Sequence, residues 1–126
     1  MYRSMFQVYV RNSNEALELY RKAFDAKILC NHLHDNGTIA HAEIDIYGQA
    51  FAICETDNDE VLTGTTMQFC LHFGEGNEEA VRKAYEVLKE ECLTLTAPIT
   101  GPGECPWSPC LFGLIDKFGV NWCIFV

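Results

Sequence analysis

The sequence predicts an α+β domain made of two consecutive βαβββ modules, and three observations carry that expectation. Runs rich in β-branched and aromatic residues alternate with Gly, Asn and Pro punctuation, two other segments carry apolar residues at helical spacing, and the order strand, helix, strand, strand, strand occurs twice. The helical segments lie about 64 residues apart, Ala16-Leu17 against Ala80-Val81, although identity between the halves is slight. The repeat is therefore one of element order. A ferredoxin-like plait is the competing arrangement, and it leaves two of the hairpin strands unassigned.

Taken in order, "MFQVYV" (5–10) is rich in strand formers. "NSNEALELYRKAFDA" follows, with Asn12 and Glu15 spaced as a capping box and Leu17, Tyr20 and Phe24 forming an apolar stripe. "KILCNHL" (27–33) and "IAHAEIDI" (39–46) flank Asn36-Gly37, a tight-turn pair, and Tyr47-Gly48 turns the chain into "QAFAICE" (49–55). The connector "TDNDEVLTGT" is too short and too mixed for an interdomain linker. "MQFCLHF" (67–73) reads as a strand. "NEEAVRKAYEVLKEE" reads as a helix, with Val81, Ala84, Tyr85 and Leu88 on one face and carboxylates in its first turn. "CLTLTAP" (92–98), the Gly/Pro-punctuated loop "ITGPGECPWSP", and a hairpin of "CLFGLID" and "GVNWCIFV" about Lys117-Phe118 complete the second module. One domain, 1–126, is expected, with modules of roughly 1–56 and 66–126.

Composition narrows the function classes. The formal charge of −9, from 18 acidic and 9 basic residues, repels phosphate backbones and anionic membrane surfaces, so neither nucleic acid nor membrane is an expected partner. No run of eighteen apolar residues occurs, and "MYRSMFQVYV" has no signal-peptide pattern, so a cytoplasmic protein is expected. Seven cysteines, odd in number, without Cys-x-x-Cys spacing and mostly within apolar runs, are expected to be reduced and packed. Cys105 and Cys110, in "GECPWSPC", are set apart by a loop that can expose a thiol, at a spacing that fits no common zinc pattern.

Three segments, "VRNSNEALELYRKAF", "IAHAEIDIYGQAFAICE" and "GLIDKFGVNW", together resemble the vicinal-oxygen-chelate superfamily of glyoxalase I, bleomycin-resistance proteins and extradiol dioxygenases, and within it the PhnB-type branch. The resemblance spans nearly the whole chain. It implies the glyoxalase/bleomycin-resistance/dioxygenase fold, in which two βαβββ modules curl eight strands of a mixed sheet into a cup with two outer helices, a small-molecule pocket inside, and commonly a homodimer. It turns Asn121, Cys123 and Phe125 toward the pocket and leaves Trp122 to pack under a helix. The ubiquinone-pathway methyltransferase label sometimes attached to this branch finds no support, because no Gly-rich strand-to-helix turn is present for a methyl-donor nucleotide.

Metal-dependent members of the superfamily hold one divalent ion through His, Gln or Glu on the first, fourth, fifth and eighth strands. The corresponding positions here are Met5, Ala52 or Ile53, Thr66 and Cys123, none of which matches that set. A register slip of two brings in Gln7 and Gln68, two neutral amides that bind a divalent ion weakly. No metal or other cofactor is expected at these places. A displaced ligand set, with His41, Glu43 and His72 as suitable donor types, is the alternative, and it implies a metal-dependent lyase, isomerase or dioxygenase.

Strand parity names the remaining candidates. Gln7 and Tyr9, His41, Glu43 and Asp45, and Gln68, Cys70 and His72 fall on common strand faces, joined by Cys123 and by Trp107 of the loop. His41 and Glu43, two apart on one strand, have tips close enough to share a proton, either as a general base with an orienting carboxylate or as a hydrogen-bonded surface pair. Cys123 reads as a nucleophile or an inert packed thiol. Trp107 reads as a lid that stacks on a planar ligand or as an anchor that folds its loop down. The expected function is binding of a small apolar or aromatic molecule without the superfamily's usual metal, with turnover left open.

Overall fold

The computed structural model describes all residues, Met1–Val126, as two units, Met1–Leu62 and Thr63–Val126. Each contains one βαβββ module, so the expected α+β order holds, and the eight strands form two mixed sheets of four.

In the first unit β1 (Phe6–Val10) lies parallel to β4 (Gln49–Glu55), which pairs antiparallel with β3 (Ile39–Ile46), and β3 with the edge strand β2 (Lys27–Leu33), giving the order β1-β4-β3-β2. The parallel pair requires a crossover, and α1 (Ser13–Phe24) belongs to it. Alternation sends Ala42, Ile44, Phe51 and Ile53 to the α1 side, where they are fully buried with Ala16 and Tyr20, and Tyr20 meets Phe51 edge-on at 5.4 Å. The opposite face carries His41, Glu43 and Asp45 beside Ala52, with Gln7 opposite Ala52 and Tyr9 opposite Cys54. Tyr47 and Gly48, at φ 49° and 95°, form the two-residue turn between β3 and β4, the backbone geometry that matches strand twist.

The α1 N-terminus departs from expectation. Asn12 adopts the left-handed conformation (φ 58°) and makes no side-chain capping bond, so the Asn12/Glu15 capping box does not form. Glu55, at the end of β4, replaces it. Its carboxylate accepts from the Asn12 and Ser13 amides at 3.2 and 2.9 Å and from Ser13 Oγ at 2.8 Å, and Ser13 Oγ accepts from the Ile39 amide at 3.0 Å. A carboxylate 42 residues away in sequence thus satisfies orphan donors and ties helix to sheet.

In the second unit β5 (Phe69–His72) is parallel to β8 (Asn121–Phe125), followed by β7 (Leu111–Ile115) and β6 (Thr94–Ala97), in the order β5-β8-β7-β6. Helix α2 (Glu78–Leu88) buries Val81, Ala84 and Leu88, and Tyr85 packs edge-on against Phe112 at 5.2 Å. Trp122 is fully buried, 5.6 Å from Phe69. Gly113 faces a register shift in β6, where a Cβ would lie 2.7 Å from Thr96 Oγ1, so a side chain there would push the two strands apart.

The expectation that most thiols are packed fails: only Cys54 and Cys110 are buried, Cys30, Cys92, Cys105 and Cys123 are intermediate, and Cys70 is exposed. Cys70 and Cys123 pair in register on the sheet face opposite Trp122 and Ile124, the residues buried with Phe112 and Leu114. Apolar neighbours in sequence lie across the sheet from them. No helix is long and apolar enough to cross a membrane.

Candidate functional site

The first unit gathers its polar side chains around one carboxylate. Glu43, only 8% exposed at the middle of β3, points away from α1, and Oε2 receives Arg3 Nη2 at 3.3 Å and Cys30 Sγ at 3.4 Å. His41 Nε2 lies 3.4 Å from the same oxygen. Arg3 Nη1 sits 2.7 Å from Oε1, yet that oxygen makes no hydrogen bond, because the guanidinium approaches it out of line. On the other side of the imidazole, Cys54 Sγ is 3.9 Å from His41 Nδ1.

The electrostatics follow from this geometry. The Arg3 guanidinium, aided by Cys30 and His41, holds the Glu43 carboxyl down at about 2 against the opposing effect of burial. Glu43 is therefore an anion at neutral pH. Burial first, and the adjacent Glu43 second, push the Cys30 thiol up; burial does the same to Cys54. The imidazole is thus bracketed by an anion and a thiol, which fixes its ring plane and leaves its side chain 35% exposed.

Cys30 and Arg3 are the members that sequence reasoning missed. Strict alternation along β2 places Cys30 on the same face as Ile28, the α1 side. A β-bulge between Ile28 and Cys30 shifts the register, so that Cys30 pairs with Glu43 while Ile28 pairs with Ile44. The extra residue turns the thiol to the opposite face. Arg3 precedes β1, in a segment with no regular structure and no pattern to read.

The other predicted residues are placed as follows. Gln7 and Tyr9 share the Glu43 face, with Gln7 Nε2 donating to Tyr9 Oη at 3.1 Å and Tyr9 65% exposed. In the second unit Gln68 Nε2 donates to Asn121 Oδ1 at 3.2 Å, and His72 stacks on Phe125 at 4.6 Å between ring centroids. Cys123 is pushed up to about 11 by burial and then by neighbouring Cys70, which favours the protonated, inert thiol over a nucleophile. Trp107 is 74% exposed. A separate groove of about 470 Å³, lined by His34, Asp35, Thr38, Glu55 and Asp57 among others, contains none of the predicted site residues.

The superfamily's customary metal positions do not fit an ion. Ala52, at one of them, is fully buried and offers no donor atom, and the aliphatic alternative Ile53 offers none either. No chemistry is routed through a metal at those positions.

Architecture and strand order together define a fold, two βαβββ modules each with a four-stranded mixed sheet, and it is the fold of several solved structures. The PhnB protein of Bacillus cereus superposes with a TM-score of 0.78 at 22% identity, over 99% of this chain and 98% of that one. Protein PA1353 of Pseudomonas aeruginosa gives 0.78 at 16%, over 99% and 97%. A variant of the fosfomycin resistance protein FosX of Listeria monocytogenes, complexed with Mn(II) and a dihydroxypropylphosphonic acid, gives 0.67 at 15%, over 98% and 90%. At such identities the resemblance establishes the fold and not a shared ligand. No family model and no curated protein matches the chain.

Proposed function

We propose that the chain is a small-molecule-binding protein of the PhnB-type branch that takes an apolar or aromatic molecule against the open face of its first sheet, without a metal at the superfamily's usual positions. The observation that carries this reading is the composition of that face: a largely exposed Tyr9 ring beside Gln7, small Ala52, and the polar pair His41 and Glu43 at its centre. An aromatic surface supplies area, and a few fixed polar groups supply orientation. His41, held by Glu43, is the group that would accept a proton from a bound molecule, with Glu43 as the orienting carboxylate. Within the second unit, the open sheet face with Gln68, Cys70, His72 and Cys123, and the Trp107 loop, carry side chains of the same chemical kinds and are proposed as ligand contacts of that unit.

The test is a screen of small aromatic compounds by amide chemical-shift perturbation. Binding is expected to move Gln7, Tyr9, His41 and Glu43 together, and Tyr9→Ala is expected to weaken it about tenfold, the scale of one aromatic contact. Shifts confined to the groove at His34 and Asp57 would refute the assignment. We also propose a homodimer. Its support is the row of exposed apolar side chains on the edge strand β2, Ile28, Leu29 and Leu33.

A further inference from the structure

His41 is spaced from Glu43 unlike a finished hydrogen bond. Charge-assisted N–H···O bonds settle near 2.7–2.9 Å, whereas His41 Nε2 stands 3.4 Å from Glu43 Oε2; Cys30 Sγ, a larger atom, reaches the same oxygen at 3.4 Å. With Zn–S near 2.3 Å and Zn–N or Zn–O near 2.0–2.1 Å, the edges of a tetrahedral site come to about 3.3–3.5 Å. The two separations from Glu43 Oε2 match those edges. The three donor atoms, one each from Cys30, His41 and Glu43, all lie within 4.8 Å of one another.

Two further features fit a cation. Glu43 Oε1 is buried and has no hydrogen bond, although Arg3 lies against it. The far ring nitrogen of His41 faces Cys54 Sγ, the place where a ligating imidazole takes a second partner that sets its tautomer and ring plane. The one obstacle is the Arg3 guanidinium. Its side chain is 45% exposed and precedes the first strand, so it can leave for solvent without disturbing the sheet.

We propose that Cys30, His41 and Glu43 form a binding site for a borderline-soft divalent cation of the Zn2+ type, with the fourth position open, and that Arg3 occupies the site in the metal's absence. Thiolate, imidazole and carboxylate together suit Zn2+ or Co2+ and disfavour Mg2+ or Ca2+, which require oxygen ligands. On ligation the Cys30 thiol proton passes to solvent and Arg3 swings out. Three protein ligands and an open position are the pattern of a site where an exogenous oxygen can bind. The ligands sit on β2 and β3, away from the customary positions; a cation at His41 Nε2 takes the lone pair that accepts a proton in the reading above, so that role belongs to the metal-free chain, and metal uptake is tested independently of it.

The experiment titrates Co2+ and then Zn2+ into the chelator-treated full chain. One equivalent is expected to bind, giving tetrahedral d–d bands and a thiolate-to-cobalt charge-transfer band that Zn2+ bleaches. Cys30→Ser or His41→Ala should weaken binding at least about 100-fold and remove the charge-transfer band or alter the d–d bands respectively, and near-isosteric Glu43→Gln should weaken it about tenfold. Arg3→Ala should tighten it about tenfold, and Cys70→Ser should leave it unchanged. Absence of stoichiometric uptake in the folded wild type, or a charge-transfer band that survives Cys30→Ser and disappears with Cys70→Ser, overturns the site. Unchanged affinity in Arg3→Ala overturns the role of Arg3. Cys30→Ser and Glu43→Gln change little volume, so melting curves that match the wild type keep the test decisive where His41→Ala does not fold.

Discussion

Cys123 shows how one side chain carries a consequence for the whole stability curve. Its thiol, ordinarily near 9, is held at about 11, first by burial and next by Cys70. The folded chain therefore keeps this proton at pH values where the unfolded chain has lost it. The stabilisation is fully present below pH 9 and is lost as pH rises through about 11. Urea denaturation of wild type and Cys123→Ala across that window should show the wild type losing more stability, and parallel curves would show that burial does not shift this thiol. Iodoacetamide at neutral pH should correspondingly modify Cys70 well before Cys123.

At the scale of the element, the β7–β8 hairpin is organised by Asp116. This residue is fully buried, and its Oδ1 accepts from the Phe118 and Val120 amides at 2.9 and 3.0 Å while Oδ2 accepts from Trp122 Nε1 at 2.9 Å. One carboxylate thus closes the turn and orients the largest buried side chain, which gives a physical reason for the spacing Asp-x-Phe-Gly-x-x-Trp. Asp116→Ala leaves three buried donors unpaired and should cost about 3 kcal/mol or more in denaturant unfolding. Asp116→Asn should also destabilise, because an amide keeps only one oxygen for donors on both sides. An unchanged melting temperature in both variants would show that the turn closes without Asp116.

For the whole molecule, the proposed homodimer predicts a sedimentation mass twice the 14.3 kDa of the chain, moving toward the monomer when Leu29 and Leu33 are replaced by Lys. A monomeric wild type at high micromolar concentration would refute it. The two element sets were legible in sequence because each strand and helix has its own periodicity: β2, β3 and β4 match the segments 27–33, 39–46 and 49–55 read from alternation and turn residues. The pairing of His41 with Glu43 was legible for the same reason. Residues two apart on a strand share a face whatever surrounds them.

What the sequence by itself determined was therefore local: the order of elements, their apolar faces, and which neighbours on one strand point together. Only tertiary structure decided that Glu55 rather than Glu15 serves the α1 N-terminus, and that a bulge in β2 and an unpatterned Arg3 bring a thiol and a guanidinium to Glu43. The reason is physical. Periodicity follows from backbone geometry within a segment, whereas a register shift and a contact between residues 40 apart are fixed by packing among segments, which leaves no periodic mark on the chain.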